Sequence, residues 1–219
     1  MTGFEQAWTA APVAVRRCLE LAHQSLRAGG LAVGAVLVDG AGLVRAEGRN
    51  RAYDGPGGDD PLQGTPLAHA ELNALAVVRT GTALGGLTLW STQQPCDMCA
   101  AALAFTGVGA VRHLAPDPWA LATGRSGSTA GDGEPEWLIA ANLLFLQSIA
   151  DTGGPDHPTV RRSRTLEPET TALLTPAPTA AGSVPEHLAP LWSRIRTAAT
   201  TRTNRLIRTA GALNSVMPK

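Results

Sequence analysis

Apolar residues along the first third of the chain change their spacing from helical to strand-like. From Pro12 to Ala28, Val13, Val15, Cys18, Leu19, Ala22 and Leu26 approximate a helical face, and Gly29-Gly30 stops it. Leu31 to Asp39 and Leu43 to Arg49 are rich in aliphatic residues and flank Gly40-Ala41-Gly42, which predicts a β-hairpin ending at Asn50. Arg51 to Pro66 collects glycine, proline and aspartate and reads as a loop. A helix over Ala68 to Arg79, a short buried strand over Leu87 to Ser91, a helix from the cysteines to about Thr106 and a strand over Gly109 to Leu114 follow.

The second half is less regular. Ala115 to Pro135 is a long glycine-rich connection of the kind that covers a site. Trp137 to Ile149 is a strongly apolar helix, Thr159 to Thr165 an edge strand, and Glu167 to Leu174 a short helix. Proline and small residues make Thr175 to Pro185 a linker, and His187 to Leu213 an amphipathic, arginine-rich helix with Leu191, Ile195 and Leu206-Ile207 on its apolar side. Alternating helices and strands imply an α/β fold, a three-layer α/β/α sandwich around a central mixed sheet. The expected division is a catalytic domain over residues 1–174, a linker over 175–185 and a helical extension over 186–219.

Composition changes this picture little. A chain of 219 residues with 44% hydrophobic content suffices for one sizeable core. Charge does more. Through Val160 nine arginines face fifteen acidic residues, a balance of −6, and from Arg161 onward the balance is +6. The expected catalytic part is thus acidic and the tail basic. Met1 to Ala14 lacks a basic segment followed by an apolar signal core, and no apolar run spans a bilayer, so a soluble cytoplasmic protein is expected. Three cysteines cannot all pair, and two stand in a C-x-x-C, which suits metal binding in a reducing compartment. Cys18 is left as a small core residue, and His23, His113, His157 and His187 are isolated and read as non-ligands.

Two short stretches carry the chemistry, His69-Ala70-Glu71 and Pro95-Cys96-Asp97-Met98-Cys99. His69, Cys96 and Cys99 supply three ligands for one Zn²⁺ per subunit and leave a fourth position open for water, a catalytic rather than a structural layout. Cysteines three apart at a helix start face one side, where the helix dipole favours thiolates. The 27 residues between His69 and Cys96 leave room for a helix and a returning strand, so a βα crossover brings the two helix starts together. Zn–S distances of roughly 2.3 Å and a Zn–N distance of roughly 2.0 Å are expected. Glu71, two residues past the histidine, cannot share its direction and serves better as the acid/base that moves protons from water to a ring nitrogen and a leaving amine. Ala70 offers only its backbone to a substrate.

Together these stretches resemble the H-x-E … P-C-x-x-C signature of the cytidine deaminase-like superfamily. The resemblance runs from about Val33 to Val111, through Val33-Gly34-Ala35-Val36-Leu37-Val38, Gly48-Arg49-Asn50-Arg51, Leu67 to Leu75 and Thr88 to Cys99. It is closest in kind to the branch with tRNA adenosine deaminases, guanine deaminases and fungal-type cytosine deaminases. The resemblance implies the three-layer fold, bound zinc, a homodimer, and Asn50 as a contact to the base. Phe105 falls where guanine deaminases place a base-stacking aromatic, although it also suits the core. Gln94 stands where the tRNA and guanine branches carry Glu.

Trp119 lies in the candidate lid, and Asp132, Glu134 or Glu136 could supply a second carboxylate that reads a purine, or else form a solvated acidic loop. Three functions remain open. The first is hydrolytic deamination of a free nucleobase, nucleoside or similar aminated heterocycle, favoured by the acidic catalytic half and the long loop. The second is tRNA adenosine-to-inosine deamination, favoured by Arg194, Arg196, Arg202, Arg205 and Arg208 in the tail. The third is a non-catalytic zinc-stabilised interaction module, which would not need Glu71. Nucleic acid is therefore a possible partner through the tail, and a membrane is not.

Overall fold

A computed structural model describes residues 3–55, 60, 62–117, 131–175 and 182–216, with the backbone alone described for 211–216. Four strands form its sheet among these residues: β1 (Gly34–Val38), β2 (Val44–Arg49), β3 (Thr88–Gln93) and β4 (Ala110–Ala115). Their order is β2-β1-β3-β4. β1 pairs antiparallel with both β2 and β3, whereas β3 and β4 run parallel, so the sheet is mixed as expected. Every residue of β1 is buried, which explains its unbroken apolar run; β2, on the edge, alternates.

Two helical layers cover the sheet. Val36 and Val38 of β1 pack with Ala14, Cys18 and Leu21 of α2 (Val13–Arg27), while Ala35 and Leu37 pack with Ala70 and Ala74 of α3 (Ala70–Ala76) and Leu103 of α4 (Asp97–Thr106). The period of two along a strand sends alternate residues to the two faces. Glycines set how closely the helices approach. A Cβ on Gly34 would stand 2.2 Å from the Cys18 carbonyl oxygen, and one on Gly48 would stand 2.4 Å from backbone atoms of both Ala70 and Ala74. Only a hydrogen at position 48 lets α3 lie against β2, and the start of α3 carries His69 and Glu71.

The remaining helices complete the α2 side. α1 (Gly3–Ala10), not expected from the sequence, places Phe4 edge-on to Trp137 and Trp192. α5 (Pro135–Gly153) is buried along most of its length, which accounts for its nearly continuous apolar sequence. The expected edge strand over Thr159 to Thr165 is instead α6 (Pro158–Leu166). Proline at the first helical position and a His157 side chain that accepts the Thr159 N–H start the helix, and Val160 and Ser163 share its buried face. Local capping and i, i+3 burial override the β-preference of its threonines and valine. α7 (Pro168–Thr171) and α8 (Val184–Leu188) are short, and α8 opens with a capping box between Ser183 and Glu186.

α9 (Trp192–Val216) realises the amphipathic tail helix. Val184, Leu188, Trp192, Ile195, Ala198 and Ala199 belong to the same core cluster as α2 and α5. Arg202 and Glu167 form a bidentate pair at 2.6 Å that is almost wholly buried, and Arg205 pairs with Glu169 at 2.7 Å. Among the described residues no helix is long and apolar enough to cross a membrane.

His23 of α2 is 2% exposed, its ring stands 5.2 Å from that of His187, and its Nε2 has no hydrogen-bond partner among the described residues. Burial, with His187 and Arg27 adding to it, pushes its pKa down to about 4. The unfolded chain, with histidine near 6.5, therefore binds more protons between those values than the folded one. Stability contributed by neutral His23 should be complete above pH 6.5 and lost as the pH falls towards 4. Thermal unfolding against pH checks this. His23→Leu should flatten the decline across that window, and an unchanged slope would refute it.

Candidate active site

His69 is the N-cap of α3, with φ −71° and ψ 154°, and Cys96 is the N-cap of α4, with φ −66° and ψ 169°. The two helices begin at the carboxyl ends of β2 and β3, which flank β1 and run in the same direction, as a βα crossover requires. Asn73 holds the first in place: its Nδ2 donates to the Arg49 carbonyl at 2.8 Å and to the Ala68 carbonyl at 3.2 Å, tying α3 to the end of β2. Arg51 N–H donates to the Ala68 carbonyl at 2.9 Å and fixes the approach to His69.

The side chains converge. His69 Nδ1 lies 3.6 Å from Cys96 Sγ and 3.5 Å from Cys99 Sγ, and the three ligand atoms all fall within 4.8 Å of one another. Hydrogen bonds from Cys99 and then His69 pull the Cys96 thiol down to about 3, as a thiolate, while the same contact pushes Cys99 up. The bond to Cys96 raises the His69 imidazole. A site of this charge and spacing suits a cation. Ligands at about 2.3 Å for sulfur and about 2.0 Å for nitrogen, at tetrahedral angles, stand about 3.5 Å apart. The observed nitrogen–sulfur separations match that value, so the residues fit zinc.

Glu71 is 3% exposed, and Ser91 of β3 donates to its Oε1 at 2.8 Å. Burial raises its pKa above the usual carboxylate value, which makes it a stronger base when ionised. Beside it lies a cavity of about 250 Å³, lined by Leu31, Val33, Asn50, His69, Glu71 and Cys96 with Gln93, Gln94, Asp117 and Phe145. That is below the roughly 300–1,000 Å³ of sites for drug-sized ligands and suits a small ring compound.

Residues 10–114 match the family model of the cytidine and deoxycytidylate deaminase zinc-binding region. A tRNA-specific adenosine deaminase of Haemophilus influenzae is 39% identical over 95 residues, 41% of this chain and 49% of that protein. A solved structure from a study of A-to-I editing by tRNA:A34 deaminases is 31% identical over 48% of this chain and 72% of that one, with a TM-score of 0.38. Over residues 10–114 the chain is similar to the zinc-binding region of cytidine and deoxycytidylate deaminases. A guanine deaminase from Bacillus subtilis is 28% identical over 51% of this chain and 68% of its own, with a TM-score of 0.38. The chain spans about half the length of the curated Haemophilus relative.

The residues expected from the sequence separate into two groups. His69, Glu71, Cys96 and Cys99 are brought together and Asn50 lines the same cavity. Asn50 Oδ1 accepts the Ala52 N–H at 3.1 Å, which leaves Nδ2 as its donor. Ala70 is fully buried in the core behind the site. Phe105 is 92% exposed on α4, in neither cavity nor core, because the buried face of α4 is set by Cys99 and Leu103. Glu134 is the N-cap of α5 and lines a separate surface recess with Glu136, and Asp132 accepts the His113 N–H at 2.8 Å. Trp119 lies outside the described residues. None of His23, His113, His157 and His187 joins the ligand cluster.

Five cavity residues escaped the sequence reading: Leu31, Val33, Gln93, Asp117 and Phe145. For Gln93 a signal existed, since residues 89, 91 and 93 of β3 share a face and Ser91 already touches Glu71. Phe145 comes from a helix beyond the family match, and no local pattern links it to His69.

Proposed function

We propose that this chain is a zinc-dependent hydrolytic deaminase that converts the exocyclic amine of a free nucleobase, nucleoside or similar aminated heterocycle to a carbonyl and releases ammonia. The observation that carries this reading is a buried carboxyl, Glu71, fixed by Ser91 beside the His69, Cys96 and Cys99 ligands in a cavity of about 250 Å³. Zinc, when bound by those three residues, supplies Lewis-acid polarisation and lowers the pKa of water. Glu71 moves the protons. It takes one from the attacking water, and as the C–O bond forms and the C–N bond breaks, one water proton ends on the ring nitrogen and the other on the leaving amine. Leu31, Val33 and Phe145 exclude bulk water, and Asn50 Nδ2 donates to the ring. One zinc per subunit, a homodimer and a cytoplasmic location complete the proposal.

The tRNA reading draws support from the names of two relatives. The tail weakens it. Arg202 and Arg205, which would neutralise phosphates, are spent on Glu167 and Glu169, and Arg194 donates to the Ala172 carbonyl at 3.0 Å. Arg196 and Arg208 remain exposed. Ammonia release from guanine, cytosine, adenine, their nucleosides, related triazines and a tRNA anticodon stem-loop separates the readings. Turnover of a small heterocycle is expected. Activity on the stem-loop alone would replace this reading with the tRNA one, and zinc without any ammonia would replace it with the interaction module.

A further inference from the structure

One polar group in the cavity wall is left unsatisfied among the described residues. Gln93 ends β3 and is 5% exposed, and neither its Nε2 nor its Oε1 has a hydrogen-bond partner among the described residues. Buried amides in native proteins nearly always find partners, so one that does not, in the wall of a ligand cavity, points to a partner that arrives with the ligand.

Its neighbours are already engaged. Ser91, one pleat earlier on the same face, donates its hydroxyl to Glu71. Gln94 donates its backbone N–H to the Ala115 carbonyl at 2.8 Å, and its Oε1 accepts the Asp117 N–H at 3.5 Å. Gln93 therefore stands one residue pair beyond the Ser91–Glu71 contact, towards the carboxyl end of the strand, with both amide atoms uncommitted. Apolar Leu31, Val33 and Phe145 make up much of the rest of the wall. A carboxamide offers one donor and one acceptor side by side, the complement of a ring edge in which an N–H adjoins a carbonyl or an unprotonated ring nitrogen.

We propose that Gln93 is a specificity-determining residue that reads such an edge, with Nε2 donating and Oε1 accepting. The inference rests on the deaminase reading for its ligand class, and it narrows that class to aminated rings that keep a lactam-like or N–H/ring-nitrogen edge. A site whose buried polar groups pair with a ligand rejects analogues that leave them unpaired, whereas apolar walls discriminate weakly.

Equilibrium binding to the zinc-loaded Glu71→Gln protein tests this without requiring turnover. The ligands are guanine, cytosine and adenine, each compared with derivatives methylated singly at each ring N–H. With Gln93 present, one methylation should weaken the best base roughly tenfold to a hundredfold. Gln93→Leu should cause a loss of the same size, and in that background the methylation should make no further difference. Gln93→Glu, of the same size, exchanges the donor for an acceptor; it should weaken the unmethylated base while zinc content stays equal. Unchanged affinity in both variants, equal losses for all ligands, or no binding of any base to the zinc-loaded protein would overturn the role of Gln93. Failure of the deaminase reading shows separately, as wild-type protein that binds a base and releases no ammonia.

Discussion

Glu71→Gln should abolish most turnover and leave the metal in place. General acid–base groups contribute about 10²- to 10⁴-fold to rate, and kcat for the best heterocycle should fall by at least that range. Glutamine matches the volume of the carboxyl, and its Oε1 can still accept the Ser91 hydroxyl, so the fold should be untouched; alanine would leave that hydroxyl unpaired in a buried site. His69, Cys96 and Cys99 are all retained, so metal content per subunit should not change. Steady-state ammonia release and elemental analysis on the same preparation measure both. Retained activity would remove Glu71 from the chemistry, and loss of zinc would show that the carboxyl supports the ligands instead.

Removal of residues 184–219 should unfold the chain. The segment contributes Val184, Leu188, Trp192 and Ile195 to the core shared with α2 and α5. Fully burying one such side chain contributes roughly 1.5–3 kcal/mol, so the four together account for about 6–12 kcal/mol. That is comparable with the roughly 5–15 kcal/mol that holds an ordinary domain folded. Truncation also strips Glu167 of Arg202, its bidentate partner in the full chain. Circular dichroism and thermal melting of a chain ending at 183 check this. A cooperative transition near that of the full chain would restore the tail to the status of an appendage.

Legibility in the sequence followed how local each feature is. His69, Cys96 and Cys99 sit at helix starts with fixed spacing, and a ligand set of that kind can be read without coordinates. The hairpin of β1 and β2 was equally plain, because a buried central strand next to a half-exposed edge writes its burial into consecutive residues. The cavity wall was not. Leu31, Asp117 and Phe145 reach it from three separate parts of the chain, and only tertiary packing shows that they meet. Phe105 illustrates the converse: an aromatic at a promising offset from Cys99 lies on the outer face of α4, where one residue of phase decides between core and solvent. The residues 159–165 misled through β-branched composition, although Pro158 and His157 marked a helix start.

The buried pair of Glu167 and Arg202 also constrains how this sequence can drift. Losing either partner first strands the other charge in the core, whereas two well-packed apolar side chains at both positions would be tolerated or even favourable. The favourable double replacement is therefore screened off by two costly single ones. Once acquired, such an ion pair persists because of the order in which mutations must arrive, whatever its own contribution to stability.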